Sequence, residues 1–265
     1  MNFFADNICV NNIKLNLNII QQFISANNLA EQVSYNEIKN IFDESNQYLE
    51  NEEKGKDEYL TGDEVPTFQR LVKEKCSKFY GYIGRLMNSM TVNENNEPSL
   101  VKCNKTEEQR KMYEDNLNKA KEIIEQNQSI LELSDEEVNY IKNAVLVVEK
   151  DGSARFDMES NVILFNLNDG ISVPDESSLV KVLLHEVTHA TIKSGKPTDE
   201  EESVCEKRAL TLAYKLYKDG KINDFKIING LKISLSDLDE PAKTDNFVRG
   251  WIEMMNRAKQ RQQSF

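Results

Sequence analysis

Apolar residues recur at helical spacing through the first half of the chain, which predicts amphipathic helices joined by polar loops. One continuous stripe predicts a long helix and comprises Phe68, Leu71, Val72, Phe79, Ile83, Leu86, Met87 and Met90. Ser34-x-x-Glu37 and Thr106-x-x-Gln109 have the spacing of capping boxes, so we expect a helix to begin at each. The charged segments 51–63 and 93–98 are expected to be loops between the helices.

The pattern of hydrophobic positions changes near Ser134. Ser134-x-x-Glu137 predicts the cap of a short helix. Residues 144–148 and 154–158 predict two strands, joined by a hairpin turn at Lys150-Asp151-Gly152-Ser153. Residues 161–167, with the sequence NVILFNL, predict a third strand.

Two helices with clear boundary signals follow these strands. Pro174–Asp175 is typical of a helix start, and Gly195–Pro197 is typical of a helix end. Thr198-x-x-Glu201 predicts the cap of the next helix. Further on, the sequence predicts a hairpin around Asn229-Gly230 and a last helix that includes Phe247–Met255. The expected fold is therefore α+β and predominantly helical.

The net charge and the composition of the chain argue against two classes of protein. The chain has 265 residues and a net charge of −12, with 39% hydrophobic and 29% charged residues. This acidity argues against a nucleic-acid binder, because affinity for phosphates comes from clustered Lys and Arg. It equally disfavours docking on anionic membranes. No stretch approaches the roughly 20 apolar residues that a membrane span needs.

The N-terminal sequence and the cysteines indicate the compartment. The first 20 residues lack the cationic and apolar regions of a secretory signal, so we expect a cytoplasmic protein. Four cysteines, Cys9, Cys76, Cys103 and Cys205, are scattered and form no CxxC pair. This spacing excludes a structural zinc knuckle and favours reduced thiols.

The first of the two clearly bounded helices contains His185-Glu186-Val187-Thr188-His189. Histidines at positions i and i+4 lie on one helix face, so both imidazoles can bind a single ion at about 2.0–2.1 Å. The glutamate between them points nearly the same way and can accept a proton from a metal-bound water. The sequence therefore predicts His185 and His189 as metal ligands and Glu186 as the general base.

A catalytic zinc site needs a third protein ligand and one open position for water. The chain has no other histidine, so a carboxylate must complete the site. The candidates lie in the following helix and are Asp199, Glu200, Glu201, Glu202 and Glu206. For the first three, capping of the helix and favourable interaction with its dipole are the simpler interpretation.

Helix geometry favours Glu206 among these carboxylates. If the two helices are antiparallel about a turn centred between positions 196 and 197, the midpoint of the two histidines maps to position 206. Glu202 would then lie about 6 Å nearer the turn, and it is the alternative ligand. Cys205 would point about 100° away from Glu206 and is expected to pack in the core.

The motif and the elements around it resemble the zincin metallopeptidases, over roughly Ala144–Lys218. The metzincin pattern is not met, because Ile192 and Gly195 stand where its glycine and third histidine would be. Glu206-Lys-Arg-Ala209 resembles a Glu-x-x-Ala stretch of small gluzincin-like proteins. The resemblance implies one zinc ion per chain, and an edge strand, residues 161–167, that pairs with an extended peptide substrate.

From these observations we expect a zinc-dependent metallopeptidase that acts on a peptide or protein substrate. Residues 134–265 would form the zincin-like domain, and the helical region 1–133 would select substrates or partners, or regulate the enzyme. Two alternatives stay open: a partner-specific regulatory or toxin-like zincin of a mobile element, and a non-catalytic zinc-binding interaction module. The intact motif His185-Glu186-x-x-His189 favours catalysis over the last of these.

Overall fold

The computed structural model describes residues 14–47, 59–61, 64–95, 97–192, 198–228 and 233–238, together with Gly250. These residues are α+β and mostly helical with small sheets, as predicted. None of the described helices is long and apolar enough to cross a membrane. Several predicted features lie outside the described residues: the helix end at Gly195–Pro197, the hairpin at Asn229-Gly230, the helix around Phe247–Met255 and most of the loop 51–63.

The chain divides into two compact units. The first comprises the described residues up to Asn104, with Val147–Ser153 and Asn166–Asp169. The second comprises Lys105–Leu146, Ala154–Phe165 and the described residues from Gly170 onward. This division differs from the expected boundary between positions 133 and 134. Its physical reason is that the helix beginning at Glu107 packs against the helix that carries the histidines.

Helices dominate the first unit, and their apolar faces meet in one buried cluster. Its elements are β1 (Lys14–Leu15), α1 (Leu17–Ala26), α2 (Tyr35–Gln47), β2 (Leu60–Thr61), α3 (Glu64–Lys75), α4 (Ser77–Asn88), β3 (Met90–Val92) and β4 (Pro98–Leu100). The strands form two antiparallel pairs, β1 with β2 and β3 with β4. Helix α2 begins where Ser34-x-x-Glu37 predicts, and Ser34 Oγ accepts a hydrogen bond from Glu37 N–H.

The long helix predicted from the stripe that begins at Phe68 is two helices. The chain leaves helical geometry at Cys76, whose φ and ψ are −137° and 65°. The stripe continues across this break because α3 and α4 bury their apolar faces in the same cluster, where Phe68, Cys76 and Phe79 all lie. Periodicity of this kind indicates which face is buried, and it does not reveal a break between two helices that share a core.

The second unit contains the predicted metal motif. Its elements are α5 (Glu107–Gln126), α6 (Gln128–Leu131), α7 (Asp135–Lys142), most of β5 (Val145–Val147), β6 (Ala154–Asp157), most of β7 (Val162–Asn166), α8 (Glu176–Ile192), α9 (Asp199–Lys218), β8 (Lys226–Ile228), β9 (Ile233–Ser234) and a short 3-10 helix (Leu235–Asp237). The predicted capping boxes at Thr106 and Ser134 are both formed, at the starts of α5 and α7.

The three-stranded sheet corrects two expectations. Its order is β5-β7-β6, so the predicted turn at 150–153 does not join neighbouring strands. Strand β7, which the zincin resemblance made the edge strand, lies in the centre, and β6 lies at an edge of the described sheet. The reason is that Ile163, Leu164 and Phe165 are buried on both faces of β7, and a strand that is apolar on both faces gains most from a central position.

Helix α8 is enclosed by its neighbours. It packs against α9, α5, α7 and β6, and its buried apolar residues are Leu179, Val180, Leu183, Leu184, Val187 and Ala190. Asp175 caps its start by accepting from Ser178 N–H at 2.8 Å. Thr198 caps α9 in the same way, accepting from Glu201 N–H at 3.2 Å. The caps thus lie where the sequence predicts them, and they set the starts of the two helices that carry the candidate ligands.

The buried cluster of the first unit leads to a stability prediction. Phe68 is fully buried and meets Phe42 edge-on, with ring centroids 6.1 Å apart. Phe68→Ala should lower the free energy of unfolding by about 3–5 kcal/mol, because it removes buried apolar area and leaves a cavity. Chemical denaturation measures this change. Val92→Ala is the control, because Val92 is 55% exposed. Equal effects of the two substitutions would contradict the described core.

Candidate metal centre

The two histidines of α8 meet at the surface that α8 shares with α9. Both are largely buried, and their Nε2 atoms lie 3.2 Å apart. The ring centroids of His185 and His189 are 5.0 Å apart. The structure therefore brings the two imidazoles together on one helix face, as the spacing of i and i+4 predicts.

Glu202 of α9 brings a carboxylate to the same two nitrogens. Its Oε2 lies 3.4 Å from Nε2 of His185, and its Oε1 lies 3.7 Å from Nε2 of His189. One donor atom from each of these three side chains lies within 4.8 Å of the other two. Among the described residues, this is the group of histidine, cysteine and acidic side chains close enough to hold one metal ion.

The distances between these donors can be compared with those of a tetrahedral metal site. With bonds of about 2.1 Å, neighbouring donor atoms in a tetrahedral zinc site are about 3.4 Å apart. The two Nε2 atoms are 3.2 Å apart, and each has a different oxygen of Glu202 near it, at 3.4 Å from His185 and 3.7 Å from His189. Two imidazoles and one carboxylate are also the donor types that catalytic zinc sites use, with the fourth position left for water. The residues present therefore have the donor types and the proximity that a bound metal ion needs.

Glu206, the carboxylate favoured from the sequence, lies on the other edge of the His185 ring. Its Oε2 accepts from Nδ1–H of His185 at 2.9 Å and lies 2.5 Å from Nζ of Lys181. Glu202, the alternative, thus holds the position expected for Glu206. The pairs His185–Glu206 and His189–Glu201 are centred about one residue earlier than the assumed turn, so the level of the ion falls between Glu202 and Glu206. Side-chain direction then decides between the two carboxylates.

Glu201 has a role that the sequence argument did not assign. Its backbone N–H serves the Thr198 cap, as predicted, but its side chain accepts from Nδ1–H of His189 at 2.9 Å. Cys205 is buried, as expected, and its Sγ lies 3.5 Å from the same Nδ1. The turn assumed from the sequence places position 204 opposite His189, so the contact of Glu201 could be found only once the register of the two helices was known.

Both imidazoles therefore have a carboxylate on Nδ1 and direct Nε2 toward Glu202. This arrangement sets the tautomer and orientation of a metal-binding histidine, because the group on Nδ1 holds that proton and leaves Nε2 for the ion. Glu206 and Glu201 supply these contacts to His185 and His189, respectively. The cluster thus has the supporting hydrogen bonds of a metal centre as well as its donors.

Glu186 is buried beside the cluster and is not one of its three donors. Its Oε2 accepts from the backbone N–H of Phe156 in β6 at 2.9 Å. Burial raises the pKa of Glu186, while the nearby positive charges of His185 and His189 act to lower it. A carboxylate whose pKa lies above its usual value is a stronger base, which suits the role expected for Glu186.

The carboxylates around the two imidazoles shift the pKa values of both histidines. Burial acts to lower the pKa of His185, but hydrogen bonds to Glu202 and Glu206 raise it above its ordinary value. The pKa of His189 is raised in the same way, by Cys205, Glu202 and Glu201. Both shifts favour the protonated imidazoles, and a metal ion binds imidazole only in its unprotonated form.

No protein-family model matches this chain, and neither a curated protein nor a solved structure is significantly similar to it. The zincin resemblance accordingly stays a prediction from the motif and the elements around it. The interpretation of the centre depends on the distances, burial and charges of its own residues.

The positions of Glu202 and Glu206 predict which substitution weakens zinc binding more. Glu202→Gln should weaken zinc binding most, because it removes a charged ligand. Glu206→Gln should weaken it by about 10–100-fold, because it disturbs only the support of His185. Competition with a chromophoric chelator measures both affinities, with Glu200→Gln as an exposed control from the same helix. The reverse order would make Glu206 the ligand.

The raised pKa values of the histidines predict how pH changes metal-dependent stability. In the metal-free protein, their contribution to stability is full below about pH 6.5 and is lost as pH rises through the folded-state pKa values. Zinc needs unprotonated imidazoles, so its affinity rises over the same range. We expect zinc to raise Tm more at about pH 8 than at about pH 6. A zinc-induced shift in Tm that shrank with rising pH would exclude the imidazoles as ligands.

Proposed function

We propose that this protein is a zinc-dependent hydrolase that cleaves peptide bonds, with Glu186 as its general base. The observation that carries the proposal is the set of three donors, from His185, His189 and Glu202, which lie close enough together to hold one metal ion. The buried carboxylate of Glu186 lies beside them and is not one of the three donors. A purely structural zinc site would have four protein ligands and no such carboxylate.

One zinc ion per chain would be held by the Nε2 atoms of the two histidines and by the carboxylate of Glu202. The mixture of imidazole and carboxylate donors suits zinc better than magnesium or calcium, which favour oxygen donors alone. Bound in this way, the ion would supply an acidified water and would polarise a carbonyl group. The remaining chemistry belongs to the residues of the chain.

Glu186 has the position and the surroundings for proton transfer. The backbone N–H of Phe156 fixes one of its oxygens, so the carboxylate cannot turn freely. Burial favours its protonated form, which lets it accept a proton from water and later give that proton to a leaving amine. Glu186 therefore moves the proton, while His185, His189 and Glu202 remain ligands throughout.

The peptide class of substrate is supported by β6. This strand lies at an edge of the described sheet and packs against α8. An edge strand binds an extended peptide through backbone hydrogen bonds, which give affinity with little dependence on sequence. Because Phe156 of β6 touches Glu186, a peptide laid along β6 would bring its backbone beside the general base. In this proposal β6 has the role that the zincin resemblance implied for residues 161–167.

Substitution of the base tests the proposed chemistry. Glu186→Gln should leave zinc content and Tm nearly unchanged, because the amide oxygen can still accept from Phe156 N–H. It should reduce hydrolysis of a broad peptide library by about 10²–10⁴-fold, which is the usual contribution of a positioned base. Mass spectrometry of the products and zinc analysis of each sample measure the two effects.

The matched control is Glu176→Gln, because Glu176 lies at the start of α8 and far along the helix from the cluster. Turnover by Glu186→Gln above about a tenth of the wild-type value would exclude Glu186 as the base. A wild-type protein that held one zinc ion per chain and cleaved no peptide would favour the non-catalytic binding module.

A further inference from the structure

Lys181 lies one helical turn before His185 on α8 and makes an ion pair inside the second unit. Its Nζ is 2.5 Å from Oε2 of Glu206. The side chain of Lys181 is 17% exposed and that of Glu206 is 1% exposed. This is therefore a largely desolvated pair, unlike the exposed ion pair that Lys215 of α9 makes with Glu132.

The same oxygen of Glu206 connects Lys181 to the metal centre. Oε2 accepts from Nδ1–H of His185 at 2.9 Å while it also contacts Lys181. The other oxygen, Oε1, is buried and has no hydrogen-bond partner among the described residues. A buried carboxylate keeps its charge and its place only when a cation and hydrogen bonds compensate its lost hydration. Lys181 is the cation that does so for Glu206.

We infer that Lys181 is a positioning residue of the metal centre, which holds Glu206 against Nδ1 of His185 so that Nε2 faces the ion. This inference rests on the proposed metal-dependent function. Without Lys181, Glu206 would be a buried charge with little compensation and would leave its place or lose its charge. His185 would then lose the contact that sets its tautomer and its ring orientation.

The other histidine does not need such a lysine. Glu201, which holds His189, lies in the first turn of α9, where the positive end of the helix dipole stabilises a carboxylate. Glu206 lies beyond that turn, and the effect of the dipole has largely faded there. The two supporting carboxylates are therefore compensated differently, one by the start of its helix and the other by Lys181.

The direction of the change in metal affinity distinguishes this inference from a simple electrostatic effect of Lys181. A lysine near a bound cation repels it, so removal of Lys181 would strengthen metal binding if charge alone mattered. If Lys181 acts by holding Glu206, its removal weakens metal binding. The two explanations thus predict opposite changes in affinity.

The test uses the full-length protein with zinc and with Co²⁺ as a spectroscopic substitute. Lys181→Met should weaken zinc binding by about 10-fold, at the lower end of the usual effect of losing such support, and should change the visible spectrum of the Co²⁺ complex. Lys181→Arg should restore both properties, because it keeps the cation. Lys215→Met should change neither. Lys181→Gln, which removes the charge and keeps a hydrogen-bond donor, serves in case Lys181→Met does not fold.

A double substitution shows whether Lys181 acts through Glu206. In the Glu206→Gln background, Lys181→Met should cause no further loss of zinc affinity. Additive losses, or unchanged or tighter zinc binding by Lys181→Met and Lys181→Gln, would overturn the inference while the metal centre itself stood. Failure of the wild-type protein to bind either zinc or Co²⁺ would instead overturn the proposed function, and the inference with it.

Discussion

The burial of α8 is the constraint on which the rest of the second unit depends. This helix is covered by α9, α5, α7 and β6, so a polar side chain on its middle turns has little access to water. Moving a polar or charged group from water into such surroundings without a partner costs on the order of several kcal/mol. His185, Glu186 and His189 must therefore find partners inside the protein, and those partners come from the neighbouring elements.

The partners come mainly from α9, which faces α8 with carboxylates. Glu201 and Glu202 are adjacent and Glu206 lies one turn further along, and each contacts the imidazole rings from a different side. Arg208, about half a turn beyond Glu206, makes further polar contacts between the helices. Arg208 of α9 donates to Thr188 of α8 and pairs with Glu137 of α7 at 2.6 Å. Polar contacts thus join α8 to α9, and α9 in turn to α7, which favours a fixed ligand geometry.

The features that the sequence predicted well depend on short stretches of chain. Capping boxes at Thr106 and Ser134 involve residues three apart, and the two histidines lie one turn apart on a single helix. Such patterns can be recognised without knowledge of the tertiary structure, because local geometry alone brings their residues together.

The features that were missed depend on how separate segments meet. The central place of β7 follows from which strands are covered on both faces, and the sequence does not show this directly. The choice between Glu202 and Glu206 depends on a shift of about two to three residues in the register of the two helices, roughly 4 Å, together with the direction of each side chain. Lys181 was missed because its partner lies on another helix, and a lone lysine carries no local signal.

The hydrogen bond from Phe156 to Glu186 comes from the main chain, and this has a consequence for mutagenesis. Replacing the phenylalanine ring leaves the N–H in place, so alanine scanning of β6 would not detect this hydrogen bond. Only a change to the backbone, such as an ester linkage introduced by chemical ligation, would remove the donor and leave the side chain intact. The orientation of this carboxylate is thus encoded in the path of the strand, and the identity of residue 156 is free to serve packing against Tyr140.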